Sequence, residues 1–183
     1  MENNNWLLLS YRLPAEPSRN RVAMWRRMRK LGAVYLEEGI WVLPHTEALT
    51  GVVHELLAEV ERHTGTAIAF VARGVSGEQE EKLLTRFNQA REEEYAEVTR
   101  ECQKLLAHIH RETAGEHYEF AEAEELEEDL EKIKHWLAQV RERDAFGVEA
   151  RDAVQQHLQD CRDALDQFML EVFDRKAEGP TAG

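Results

Sequence analysis

The sequence predicts an α+β fold: an N-terminal ferredoxin-like βαββαβ domain over residues 1–76, then a long-helix bundle over 77–177, with a disordered tail over 178–183. Three observations predict it. Over the first 76 residues, short apolar runs alternate with amphipathic stretches in the order β-α-β-β-α-β, the split-βαβ arrangement. Beyond them, long stretches free of Pro and Gly carry apolar residues at steps of three and four. Charge divides at the same place. Residues 1–76 hold nine Lys and Arg against eight Asp and Glu, and residues 77–183 hold fourteen against twenty-eight. A near-neutral half joined to one of net −14 predicts different partners for the two.

Each element has a local cause. Trp6–Arg12 is an apolar run closed by Pro14 and Pro17, which reads as a buried first strand. Ser18 stands as N-cap of a helix over Arg19–Leu31, and Gly32 suits the residue after its end. Ala33–Glu37 and Ile40–Leu43 flank Glu38-Gly39 and read as a hairpin. Thr46 caps a helix to about His63 with Val53, Leu56, Leu57 and Val60 as its stripe, and Thr66–Ala72 is the last strand. Three long helices follow, over 78–112, 122–143 and 149–174. Their seams are Tyr95, Val98, Cys102, Leu105 and Ile109, then Leu126, Leu130, Ile133, Leu137 and Val140, then Val154, Leu158, Cys161, Leu165, Phe168 and Val172. Such spacing predicts a helical bundle or hairpin.

The helix over 19–31 carries the most information. At 100° per residue, Val22, Met24, Trp25, Met28 and Leu31 share one half of the wheel, predicting a face packed on the sheet. Arg19, Arg26 and Lys30 lie at the centre of the other half, with Arg27 and Arg29 beside them. Arg21 falls on the apolar side and must snorkel or meet a buried acceptor. No acid occurs from residue 17 to 36. Such a strip can neutralise phosphates or hold an oxyanion. It can also pair with the chain's own acidic half or a second subunit, or simply be solvated. The first reading makes Arg19, Arg21, Arg26, Arg27 and Lys30 the DNA- or anion-binding candidates.

Other chemistries find little support. His108 with Glu112, Glu131 with His135, and His157 with Cys161 are i,i+4 pairs, each without a further pair near in sequence, so no metal site is expected. Cys102 and Cys161 lie on the apolar seams and read as core residues. There is no dinucleotide fingerprint, Walker loop or nucleophile elbow. The first strand ends in Ser10-Tyr11-Arg12 and offers no acidic ligand for metal-assisted phosphodiester cleavage. The expectation is a protein with no catalytic residues and no cofactor.

Several blocks resemble ChrB-type chromate resistance proteins: Trp6-Leu7-Leu8-Leu9, Leu13 to Arg19, Val22 to Gly32, and Gly39 to Pro44. So do Arg86-Phe87-Asn88, Glu93-Glu94-Tyr95, Asp129 to Lys132 with Trp136-Leu137, and Arg143-Asp144 with Phe146-Gly147. The resemblance implies a regulator that binds operator DNA and responds to chromate, with basic residues of the first helix in DNA or dimer contacts. By motif, Arg21 and Arg26 carry over first, then Arg19, Arg27 and Lys30. Typical members continue into a second domain credited with the chromate response, so the DNA role is the one implied most directly.

The expected partners are therefore DNA, a chromate oxyanion and a second copy of the chain, in the cytoplasm and without a membrane. The alternative expectation is an adaptor that recruits or dimerises through an exposed apolar seam of the acidic bundle.

Overall fold

A computed structural model describes residues 5–177; the expected tail over 178–183 lies outside the described residues. The elements are β1 (Trp6–Arg12), α1 (Ser18–Lys30), β2 (Val34–Tyr35), a 3-10 turn (Glu37–Gly39), β3 (Ile40–Pro44), α2 (Glu47–Arg62), β4 (Thr66–Ala72), α3 (Gly77–Ala114), α4 (Phe120–Arg143) and α5 (Ala150–Ala177). The chain divides between Ala90 and Arg91, inside α3, into two compact units.

In the first unit the sheet runs β2-β3-β1-β4, antiparallel throughout, with Leu8 opposite both Val42 and Phe70. Alternation along β1 sends Leu7 and Leu9 to one face and Trp6 and Leu8 to the other. The first face is packed by Met24 and Met28 of α1 and by Val53, Leu56 and Val60 of α2. The second face is covered at one end by the first turns of α3. Phe87 stacks on Trp6 at 5.1 Å, and the Trp6 indole donates to Glu80 at 2.7 Å. The other carboxylate oxygen of Glu80 accepts from the Gly74 amide. Composition changes at Gly77, but these contacts carry the packing unit on to Ala90.

Local chemistry explains the ends of the elements. Thr46 accepts from the Leu49 amide at 3.1 Å and caps α2 as its sequence predicts. Gly32, at φ 75°, ends α1: its amide reaches the Arg29 carbonyl, and Ala33 reaches Met28. That is the Schellman pattern, in which a left-handed residue satisfies the last carbonyls. Two expectations need correction. The N-cap of α1 is Pro17, in extended conformation and without a side-chain cap, so Ser18 is the first helical residue. The strand expected over Ala33–Glu37 pairs only at Val34 and Tyr35. The Leu36 amide still reaches the Ile40 carbonyl, but the chain then coils tightly through Gly39, at φ 86°.

In the second unit every residue of the three expected seams is buried. They bury one another, while Leu170 and Phe173 of α5 stay exposed. Steps of three and four turn one stripe of each helix inward, which leaves the acids outside. The Tyr95 phenol donates to Asp144 at 3.0 Å, and Glu94 meets both Arg91, at 3.4 Å, and Arg143, at 3.2 Å. Cys102 and Cys161 are buried; the Cys161 thiol donates to the Cys102 carbonyl at 3.1 Å. Among the described residues no helix is long and apolar enough to cross a membrane.

Candidate nucleic-acid interface

The orientation of α1 differs from the wheel in a way that creates the site. Only Met24 and Met28 of this helix are buried. The wheel weights all apolar residues alike and so places Val22 and Trp25 in the packed half. In the fold, contact with β1 and α2 fixes the inward direction along the Met24–Met28 line. Val22 and Trp25 are thereby turned out, and Trp25 is 51% exposed.

The flank so presented carries Arg21, Trp25 and Arg29, successive i,i+4 neighbours on one side of the helix. They line a cleft of about 750 Å³ together with Tyr11 and Arg12 at the end of β1, Tyr35 of β2 and Trp41 of β3. Three guanidinium groups and four aromatic rings thus share one concavity, and among the described residues no Asp or Glu lines it. Tyr35 is 54% exposed and packs edge-on against the buried Trp41, centroids 5.1 Å apart. Burial pushes the Tyr11 phenol above its ordinary range; a hydrogen bond from the Trp41 side chain opposes this and the nearby Tyr35 adds to it. Tyr11 therefore offers a neutral hydroxyl at physiological pH.

The five residues singled out in the sequence separate into three groups. Arg19, Arg26 and Lys30 are exposed on the solvent side of α1. Arg21 needs no buried acceptor, because its side of the helix is the exposed cleft. Arg27 is committed elsewhere: it is half-buried and clamped by Glu59 and, at 3.1 Å, by Glu55, both on α2. Arg27 is thus ion-paired, but with acids of its own unit rather than of the acidic half. Among the described residues Arg12, Arg19, Arg21, Arg26 and Arg29 make no ion pair. Sequence reasoning left Arg12, Tyr11, Tyr35 and Trp41 out of the site and gave Arg29 only a flanking place. The spacing Arg21–Trp25–Arg29 was the available signal.

An arginine fork can take a phosphate through two parallel hydrogen bonds, and its plane also stacks on rings. Exposed aromatic faces accept bases without regard to sequence. The cleft has the parts for both.

Comparison with known proteins bears on this arrangement. The family described as "Protein ChrB, N-terminal" matches residues 21–179, a span that includes α1 from Arg21 onward. The chain belongs to the ChrB N-terminal family. A relative named Protein ChrB, from Cupriavidus metallidurans (strain ATCC 43123 / DSM 2839 / NBRC 102507 / CH34), is 30% identical over 92 residues. That alignment covers 50% of this chain and 28% of the relative, so the match spans under a third of that protein's length. No solved structure matches. Within this ChrB-family chain α1 contributes Arg21 and Arg29 to the cleft and exposes Arg19, Arg26 and Lys30 to solvent.

Proposed function

We propose that this chain is a non-enzymatic, cytoplasmic regulatory protein of chromate resistance that binds operator DNA through α1 and its adjoining cleft. Family membership supplies the link to chromate resistance. The observation that carries the binding claim is the cleft that Arg12, Arg21 and Arg29 line together with exposed Trp25, with no acid lining it among the described residues. The arginines take backbone phosphates and the rings take unstacked or kinked bases. The sheet order β2-β3-β1-β4, with α1 and α2 on one face, supports reading the first unit as ferredoxin-like.

The test is fluorescence anisotropy of full-length protein on duplex DNA from upstream of its own operon, across a salt series. Binding should weaken steeply with salt, with a log–log slope of about −4 if some four or five phosphates are neutralised. Arg26→Glu should abolish it. Millimolar chromate should release DNA more than sulfate at equal ionic strength if the oxyanion is an effector. Absence of salt-dependent binding would refute the proposal.

A second reading has its own observation. Ile40, Ile68 and Phe70 are exposed on the sheet face that α3 leaves open. Exposed apolar side chains grouped on one sheet face suit self-association or an adaptor role. A light-scattering mass of one chain per particle would count against it.

A further inference from the structure

The pair His108 and Glu112, one turn apart on α3, gains partners that its own stretch of sequence does not show. Glu122 of α4 brings Oε1 to 3.0 Å from His108 Nε2, while Glu112 Oε1 stands 3.6 Å from the same nitrogen. The three ligand atoms lie within 4.8 Å of one another. Tetrahedral zinc, with bonds near 2.05 Å, sets its ligand atoms about 3.4 Å apart. The two observed separations bracket that value.

A protonated His108 bridging the two carboxylates is the simpler explanation, and one detail argues against it. Glu122 Oε1 is shielded from solvent yet has no hydrogen-bond partner. It stands 3.0 Å from His108 Nε2 without meeting hydrogen-bond geometry. A buried acceptor left without a hydrogen bond is costly, and a cation held between the three groups would satisfy it.

The surroundings fit an ion. The second oxygen of Glu112 meets His117 Nδ1 at 2.9 Å, an outer-shell contact that fixes how the carboxylate points. A Cβ on Gly115 would stand 2.8 Å from the His117 ring, so glycine leaves room for that ring. Arg111 Nε also meets Glu112 Oε1, at 3.0 Å. Arg111 is 69% exposed, so this contact is weak, and the oxygen keeps a second lone pair. His108 also borders a cavity of about 390 Å³ between α3 and α4.

We propose that His108, Glu112 and Glu122 form a three-ligand site for a divalent transition-metal ion of the zinc class, with His117 positioning Glu112. One nitrogen and two carboxylate oxygens suit such an ion, with water as the fourth ligand. Tag-free, chelator-stripped full-length protein is titrated with Zn(II) by calorimetry, and with Co(II) by visible absorption. One ion binds per chain, Co(II) gives the intense bands of four-coordinate geometry, and Zn(II) raises the melting temperature. His108→Ala and Glu122→Gln each abolish the Co(II) bands, His117→Ala weakens binding about 10–100-fold, and His135→Ala changes nothing. Glu122→Gln is isosteric and carries the test should His108→Ala fail to fold. No binding to the wild type, or undiminished binding to Glu122→Gln, overturns the site and leaves the cluster an ion pair.

Discussion

The two roles assigned to the arginines of α1 can be separated by comparing Arg27→Ala with the double variant Arg21→Ala/Arg29→Ala. Arg27 is clamped by Glu59, which is only 21% exposed, and by Glu55, which is 71% exposed. Removing the guanidinium leaves a half-buried carboxylate unpaired, at about 1 kcal/mol, and loses a surface pair worth a few tenths. The first unit has about 90 residues, so its melting temperature should fall by roughly 5 °C. DNA affinity should barely change, because Arg27 faces α2. The double variant should do the reverse. Arg21 and Arg29 make no ion pair among the described residues, so stability stays near wild type. Losing two phosphate contacts should make the log–log salt slope shallower by about 1.8. Circular dichroism melts and anisotropy titrations at several salt concentrations read both quantities. An unchanged salt slope in the double variant, or equal loss of DNA affinity in Arg27→Ala, refutes the division of the helix.

Three further outcomes follow from particular contacts. Trp25→Ala should weaken single-stranded DNA binding about 10–100-fold, the worth of one stacking platform, and affect duplex binding less; equal losses on both substrates would count against stacking. Burial and the contact with Asp144 push the Tyr95 phenol up to about 12. A raised folded value favours the neutral form, so the stabilisation is complete below pH 10 and is lost as pH rises through 12, by at most about 2.7 kcal/mol. Tyr95→Phe should lack that step in urea melts at pH 9.5 and 12, and identical pH dependence in both proteins would sink the assignment. Gly65→Ala would put a Cβ 2.6 Å from the Arg12 carbonyl and 2.7 Å from Val60, both fixed in the core, and should lower the melting temperature by several degrees; a wild-type melt would show the contact can relax.

What the sequence reveals and what it hides follow the range of the interactions. The Thr46 cap, the Gly32 stop and the strand Thr66–Ala72 rest on neighbours within a few residues, and each stands where local chemistry predicts. The bundle seams are equally legible, since a regular stripe of apolar residues has one way to be buried. The inward direction of α1 is not legible, because Met24 and Met28 win over Trp25 only through β1 and α2. The clamp on Arg27 depends on α2 lying alongside, some thirty residues later. The meeting of Glu122 with His108 depends on the register of two helices joined by a short turn. Neither can be found by counting residues along one element.

A chain of net charge −13 is an unpromising DNA binder by its total, and distance decides whether the total matters. At 0.1 M salt a charge is screened beyond about 10 Å, so a bound phosphate feels mainly the few groups beside it. In the cleft those groups are Arg12, Arg21 and Arg29, with no acid among the lining residues. In the second unit the surplus acids sit on exposed helix faces, a few beside a lysine, such as Asp129 with Lys132 and Glu101 with Lys104. Local sign therefore outweighs global sign at physiological salt. Below about 0.01 M the screening length reaches roughly 30 Å, and the acidic surplus enters the balance. Repulsion from those acids then grows together with attraction to the arginines. The salt dependence should accordingly flatten at its low end, where a purely basic domain would keep its slope.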